Sequence, residues 1–286
     1  MPSVEEVLGQ AERALKASTA IEHPHRGKER ADAEELLSFV LGRDLDSDEQ
    51  MAPLPLARFN DLLSRRVAGE PTAYLTGRTD FRGLTLRVAP GAFIPRQSSE
   101  FMAEQAIRRL RGRHDPLHLD LATGIGPVAL AVAAALPKAR VFGVDVAAKP
   151  LSLARRNARR LGVTNVEFLK GDLFSPLPER LLGSMDVITV HPPYVGTKEL
   201  KDLSWEIVHF EPEESLTDYS PAGDRILKEV MRESPRWLRR GGWLLVEVSP
   251  DRSRSVATML RRGGFFDVRS TKGVVDVSRV VVGRNR

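Results

Sequence analysis

Short apolar runs alternate with amphipathic stretches from about residue 117 to the end of the chain. The runs have the length of buried strands, and the stretches between them carry apolar residues at helical spacing. The predicted strands and helices, in chain order, are 117–121, 127–136, 140–145, 148–161, 166–169, 185–190, 221–238, 243–249, 252–263, 265–271 and 278–283. Such alternation predicts an α/β fold with a mostly parallel sheet that helices cover on both faces.

The first 70 residues have a different pattern, in which apolar side chains recur only at helical spacing. Three helices are predicted, over 3–18, over 30–41 and after the prolines at 53 and 55. They predict a small helical domain that ends at Gly69-Glu70-Pro71. In residues 72–95 we expect strand character at Tyr74-Leu75 and a hairpin around Gly83. Ser98 is the predicted N-cap of the helix that follows.

A glycine turn follows the first strand of the α/β part. Thr123-Gly124-Ile125-Gly126 separates this strand from an Ala-rich helix that begins at Pro127. A turn of this kind lets a ligand approach the backbone, and the helix N-terminus offers free N–H groups. The turn predicts a ligand site, although a Gly-x-Gly pair alone is weak evidence.

Polar residues stand near the ends of four predicted strands, namely Asp120, Asp145, Asp172 and His191. Ligands bind beyond the carboxyl ends of parallel strands, so these residues are expected to converge on one edge of the sheet. An acid about 20 residues beyond the turn, as Asp145 is, usually accepts hydrogen bonds from ribose hydroxyls. Ala129 stands where a dinucleotide fingerprint has its last glycine, which disfavours NAD or FAD.

Composition narrows the function classes. The 286 residues include no cysteine, which excludes disulfides, a thiol nucleophile and a thiolate metal site, and we predict no metal. No signal peptide or membrane span is predicted, so the expected location is the cytoplasm. The net charge is +5. Arginine clusters account for much of it, and we interpret them as solvated helix faces, with a patch that faces the ribosome or RNA as the alternative. The sequence shows no RNA-binding signature, and no direct nucleic-acid binding is expected.

Four landmarks in this order and spacing resemble the class I S-adenosylmethionine-dependent methyltransferases. They are the glycine turn, Asp145, the segment Gly171–Phe174 and His191-Pro192-Pro193-Tyr194. The Pro-Pro-Tyr ending is similar to that of amino-group methyltransferases, whose motif is normally Asn/Asp-Pro-Pro-Tyr. Segments 31–42, 65–96 and 210–216 resemble the HemK-type protein-(glutamine N5) methyltransferases, which modify peptide-chain release factors. The resemblance covers nearly the whole chain.

The resemblance implies a Rossmann-like seven-stranded sheet whose last strands add in antiparallel fashion, together with a small N-terminal helical domain. Its domains would be 1–70 for substrate recognition, 71–97 as a connector with a β-hairpin, and 98–286 for cofactor binding. The implied activity is methylation of the side-chain amide of a glutamine, in the Gly-Gly-Gln loop of a class 1 release factor. The cofactor would be S-adenosyl-L-methionine and the product S-adenosyl-L-homocysteine.

The resemblance also implies a role for individual residues. The cofactor-binding residues would be Asp120, Ala122, Thr123, Gly124, Ile125, Gly126, Asp145, Asp172, Leu173 and His191. Of these, 122–126 would hold the methionine part, Asp145 the ribose, and Asp172 with Leu173 the adenine. Asp120 would either support the turn or meet the amino group of the cofactor. The catalytic residues would be His191, Pro192, Pro193 and Tyr194. Backbone carbonyls of the proline loop can accept hydrogens of the target –NH2, and Tyr194 can pack against a planar amide.

This chain departs from the family pattern at three places. His191 replaces the usual Asn, Ala122 replaces a usual Gly, and Gln97-Ser98-Ser99-Glu100 replaces the usual Pro-Glu-Thr-Glu. The change at Ala122 is mild if its φ is negative. For His191, a nearby sulfonium favours the neutral imidazole, which offers one acceptor and one donor.

Three outcomes for His191 stay open. It positions the glutamine amide, or it acts as general base toward an acceptor on a small molecule or another macromolecule, or the chain binds cofactor with little catalysis.

Overall fold

In the computed structural model, which describes residues 1–21, 27–273 and 278–286, the predicted alternation of strands and helices is present. The α-helices are α1 (Val4–Ala17), α2 (Glu29–Leu41), α3 (Pro53–Val67), α4 (Thr72–Thr76), α5 (Ser99–Leu110), α6 (Pro127–Ala135), α7 (Ala148–Leu161), α8 (Trp205–Phe210), α9 (Arg225–Trp237) and α10 (Ser253–Arg262). The strands are β1 (Arg78–Phe81), β2 (Leu84–Arg87), β3 (Leu117–Leu121), β4 (Arg140–Asp145), β5 (Val166–Lys170), β6 (Met185–Val190), β7 (Leu238–Val248), β8 (Phe266–Thr271) and β9 (Arg279–Arg284).

Seven strands form one sheet in the order β5-β4-β3-β6-β7-β9-β8. Strands β3 to β7 are parallel, and β9 is antiparallel to both β7 and β8. This confirms the predicted seven-stranded α/β fold with its antiparallel addition. The chain fills one side of the sheet with β4 and β5 and then crosses to the other side with β6. The strand order therefore reverses between β3 and β6, which is where open sheets of this kind bind ligands.

The chain divides into two compact units. The larger one comprises 79–87, 91–200 and 212–286, and its core packs on the sheet around buried residues such as Ile188, Leu244 and Val246. The smaller one comprises 1–78, 88–90 and 201–211, and its core includes Leu15, Leu36 and Phe59. Apolar residues at helical spacing in α1 to α3 supply this second core, as the sequence predicted.

The segment 201–211 is part of the smaller unit although it lies far along the chain. Arg66 of α3 is buried, and its guanidinium donates to Asp32 Oδ2 at 2.8 Å and to Glu206 Oε2 at 3.3 Å. A Cβ at Gly69 would lie 2.5 Å from the ring of Trp205, so only glycine allows this packing. A buried ion pair and a close backbone approach therefore hold α8 in this unit.

The connector is partly as predicted. The hairpin is present, with Arg82 and Gly83 both at positive φ in the turn between β1 and β2. The predicted strand at Tyr74-Leu75 is wrong, because these residues lie in α4. Pro71 starts that helix, and Gly77 at φ 66 ends it.

One predicted helix cap and one predicted helix start differ from the structure. Ser98 precedes α5, but its hydroxyl makes no cap hydrogen bond and donates instead to Glu247 Oε1 at 3.0 Å. The helix predicted over 221–238 begins only at Arg225, because residues 217–224 form a loop closed by hydrogen bonds to Asp218. Among the residues that the structure describes, no helix is both long and apolar enough to span a bilayer.

Candidate active site

The turn after β3 presents backbone and not side chains. Ala122, Gly124 and Gly126 all have positive φ, at 51, 57 and 84°. The side chains of Thr123 and Ile125 are buried, so they fix the turn from inside. A Cβ at Gly124 would have no heavy atom within 4 Å, whereas one at Gly126 would lie 2.7 Å from the Phe168 ring. The backbone at Gly124 thus faces open space, and Gly126 is required for internal packing.

The replacement of a glycine by Ala122 was expected to be mild only if its φ is negative, and its φ is positive. Its φ of 51° lies in the left-handed region, where a side chain costs about 1–2 kcal/mol. Strain of this kind gathers at ligand-binding turns.

Asp145 locks the turn to the end of β4. Its Oδ2 accepts from Gly124 N at 2.8 Å, and its Oδ1 accepts from Ala147 N at 2.9 Å. Burial raises the pKa of this carboxyl, and the backbone donors work against that rise. Each oxygen keeps lone-pair capacity for a further donor, so a bond to a ribose hydroxyl stays a prediction.

Asp120 points into the protein and holds the turn from behind. Its Oδ2 accepts from Thr123 Oγ1 at 2.6 Å, and its Oδ1 accepts from Thr189 Oγ1 at 2.7 Å. Thr189 in turn lies 2.9 Å from Nε2 of the fully buried His118. Burial raises the pKa of Asp120 to about 6 and lowers that of His118 to about 3. Of the two roles considered for Asp120, this geometry favours support of the turn.

Asp172 and Leu173 follow β5, next to Asp145. Gly171 N donates to Asp145 O at 3.0 Å, which brings the exit of β5 beside that of β4. Asp172 is exposed, and Leu173 is half-buried with a φ of 46°. Their proposed contact with adenine stays a prediction.

Sequence reasoning missed two residues around this turn. Val146, directly after Asp145, is 56% exposed, and an apolar side chain beside a strand-ending acid suits the face of a base. Asn157 is fully buried on α7, where its Oδ1 accepts from Arg87 N at 2.7 Å and its Nδ2 donates to Arg87 O at 3.1 Å. The sequence feature that could have pointed to Asn157 is a polar side chain on the apolar face of an amphipathic helix.

His191-Pro192-Pro193-Tyr194 leaves the sheet at the same edge as the turn. Val190 pairs with Leu121, so His191 and Ala122 follow neighbouring strand ends. Pro192 is buried and Pro193 half-buried, which fixes the direction of the loop. A Cβ at Gly223 would collide with the carbonyl oxygen of Tyr194, so the loop at 217–223 packs tightly against it.

Aromatic side chains surround His191. Its ring lies 5.9 Å from that of Tyr194 at 29°, and 5.8 Å from that of Phe93 at 88°. Its Nδ1 is 3.5 Å from Ser99 Oγ and 3.9 Å from Glu247 Oε2. Burial, with Glu247 nearby, raises the pKa of Tyr194 to about 12, so its phenol keeps its proton.

These residues fit S-adenosylmethionine. The backbone at Gly124 is open, the carboxylate of Asp145 adjoins it, and the apolar face of Val146 is exposed beside both. Parallel pairing of β4, β3 and β6 brings all of these groups and His191 to one edge of the sheet. The edge thus offers polar contacts for a ribose and an amino acid, together with an apolar contact for a base.

Family models cover most of the chain. A methyltransferase-domain model matches residues 117–262, and a model of the PrmC N-terminal domain matches residues 6–77. The release factor glutamine methyltransferase of Geobacter sulfurreducens is 35% identical over 260 residues, covering 89% of each chain. The protein of the same name from Vibrio cholerae is 34% identical over 279 residues, covering 96% of each.

The chain belongs to the release factor glutamine methyltransferase family. It is an S-adenosylmethionine-dependent methyltransferase. A solved 16S rRNA N2 G1207 methyltransferase of T. thermophilus, in complex with AdoMet and guanosine, shares the fold with a TM-score of 0.54 and 18% identity, over 73% of this chain and 50% of that one. A methyltransferase of Pyrococcus furiosus shares it with a TM-score of 0.50 and 17% identity, over 71% and 89%. The family predicted from the sequence is confirmed.

Proposed function

We propose that this methyltransferase acts on the side-chain amide nitrogen of a glutamine in a class 1 peptide-chain release factor. Relatives about a third identical over nearly their whole length carry the name release factor glutamine methyltransferase. The observation that carries the proposal for the site is the convergence of the glycine turn and the His-Pro-Pro-Tyr loop on one sheet edge. The cytoplasmic location expected from the sequence is part of this proposal.

Bound S-adenosylmethionine supplies a methyl group that its sulfonium already activates. The protein's main contribution is therefore to position the acceptor nitrogen in line with the methyl group and to prevent other orientations of the acceptor. We assign the turn at 122–126 and Asp145 to holding the cofactor, with Val146 and Leu173 beside the base. Asp120 and Thr189 hold that turn from the interior.

The loop at 191–194 is assigned to the acceptor. A primary amide nitrogen loses one proton when it gains a methyl group. Proline carbonyls can accept the amide hydrogens, and the ring of His191 has one nitrogen able to take the departing proton. Tyr194, whose phenol stays protonated, offers a flat apolar surface for the planar amide.

The test is incubation of the enzyme with a purified class 1 release factor and labelled S-adenosylmethionine, followed by mass spectrometry of the Gly-Gly-Gln peptide. We expect one added methyl group on that glutamine, and none on a release factor whose glutamine is replaced by alanine. Label on other substrates only, with an unmodified glutamine, would refute the proposal and favour another acceptor. Label on the alanine variant would place the modified atom elsewhere in the release factor.

A further inference from the structure

A buried carboxylate lies at the carboxyl end of β7, behind the His-Pro-Pro-Tyr loop. Glu247 is fully buried between Val246 and Val248, on the strand that pairs in parallel with β6 and in antiparallel fashion with β9. Its Oε1 accepts from Ser98 Oγ at 3.0 Å. Within the part of the chain that the structure describes, its Oε2 has no hydrogen-bond donor. Since a buried carboxylate oxygen without a donor is costly, this atom points to a function.

The nitrogen that faces this oxygen belongs to His191. Nδ1 lies 3.9 Å from Glu247 Oε2 and 3.5 Å from Ser99 Oγ. The ring lies between those of Phe93 and Tyr194. A movement of the ring by about 1 Å toward Glu247 would bring Nδ1 within hydrogen-bond distance of Oε2. A proton on Nδ1 would satisfy Oε2 and leave the lone pair on Nε2.

Two departures from the family pattern meet at this carboxylate. His191 stands in place of the usual Asn, and Ser98-Ser99 stand within the segment that replaces Pro-Glu-Thr-Glu. Ser98 holds one oxygen of Glu247, and both Ser99 and the other oxygen face His191. The hydroxyl of Ser98 does so at the expense of capping α5. The substituted residues thus form one connected set around the ring.

We propose that Glu247 is a positioning residue for His191, which holds the imidazole with its proton on Nδ1 and so presents the Nε2 lone pair to the acceptor nitrogen. This inference rests on the proposed function for the nature of the acceptor, but the state of the ring does not depend on it. A carboxylate behind a histidine fixes its tautomer and stabilises the positive charge that forms when Nε2 takes a proton.

A double-mutant cycle with Glu247→Gln and His191→Asn tests this role. In the wild-type background we expect Glu247→Gln to lower kcat about 10- to 100-fold, as for other residues that orient a functional histidine, with KM changed less than twofold. In the His191→Asn background the same substitution should change kcat less than twofold, because an asparagine has no ring tautomer for the carboxylate to fix. Equal losses in both backgrounds would overturn the proposal, since Glu247 would then act independently of the ring.

Nitrogen-15 NMR of labelled histidine gives a readout that does not depend on turnover. We expect His191, assigned by comparison with His191→Asn, to carry its proton on Nδ1 in the wild type and to shift toward the Nε2–H form in Glu247→Gln. Calorimetry with S-adenosylhomocysteine should give the two proteins affinities within twofold of each other, which shows that the cofactor site is intact.

If Glu247→Gln fails to fold, the wild-type spectrum still tests the inference. A proton found on Nε2 of His191 in the wild type would overturn it. If the release factor is not methylated, the proposed function fails while the NMR result still stands. If it is methylated and the variant keeps both the wild-type tautomer and the wild-type kcat, only the role of Glu247 fails.

Discussion

Thr189 occupies the centre of the buried network behind the cofactor turn. Its hydroxyl donates to Asp120 Oδ1 at 2.7 Å and lies 2.9 Å from His118 Nε2, from which it accepts. All three side chains are buried, so water cannot replace the hydroxyl. Thr189→Val keeps the shape of the side chain and removes only this donor and acceptor.

The expected loss of stability follows from what is left unpaired. A hydrogen bond to a charged group contributes about 1.5–3 kcal/mol and a neutral one about 0.5–1.5 kcal/mol. The substitution also leaves His118 without a partner on either nitrogen among the described residues, since its Nδ1 already has none. We therefore expect Thr189→Val to lower the free energy of unfolding by about 2–4 kcal/mol.

Urea unfolding followed by circular dichroism measures this change. The matched control is Thr258→Val, on the exposed side of α10, where the hydroxyl donates only to Arg254 O within its own helix. We expect the control to change stability by less than about 0.5 kcal/mol. A loss below about 1 kcal/mol for Thr189→Val would refute the reasoning, because the network would then contribute little.

Three further results are expected. Ala122→Gly should raise the free energy of unfolding in urea by up to about 1 kcal/mol, because relief of a left-handed φ outweighs the added freedom of the unfolded chain; a loss of stability would contradict the strain. Asn157→Leu should lower the free energy of unfolding by about 2–4 kcal/mol, and with it the melting temperature, because the backbone N–H and C=O of Arg87 lose their partner. An unchanged melting temperature would contradict this. Burial raises the folded-state pKa of Asp120 to about 6 from an ordinary 3.8, so the stability it contributes is present below pH 3.8 and is lost as the pH rises through 6. Relative to Asp120→Asn, the wild type should therefore lose about 3 kcal/mol between about pH 3 and pH 7, and parallel pH profiles of the two proteins would contradict the raised pKa.

Much of the larger unit could be predicted because its signals are local. The apolar runs at β3, β4 and β6 match buried parallel strands, and the glycines after β3 predict the turn. The carboxyl ends of parallel strands lie at the same edge of a sheet, so the sequence alone predicts that Asp145 and His191 lie at one edge. Most predicted segments agree with the observed ones within a few residues, but β7 begins at Leu238, before its predicted start at 243.

The remaining features depend on contacts between distant parts of the chain. The membership of α8 in the smaller unit depends on Arg66 and Glu206, which are far apart in sequence. Tyr74-Leu75 has strand propensity, but Pro71 and Gly77 bound a single helical turn there. The direction of Asp120 depends on hydroxyls at 123 and 189. Glu247 lies in an apolar strand, and only the fold shows that it faces His191.

Calorimetric titration with S-adenosylhomocysteine most directly tests the claim that the turn and Asp145 form the cofactor site. We expect one site per chain in the wild type, at least about tenfold weaker binding by Asp145→Asn, and unchanged binding by Asp267→Asn, which removes a carboxylate from β8, the edge strand at the far side of the sheet. No heat with the wild type, or equal affinities for the wild type and Asp145→Asn, would contradict the account.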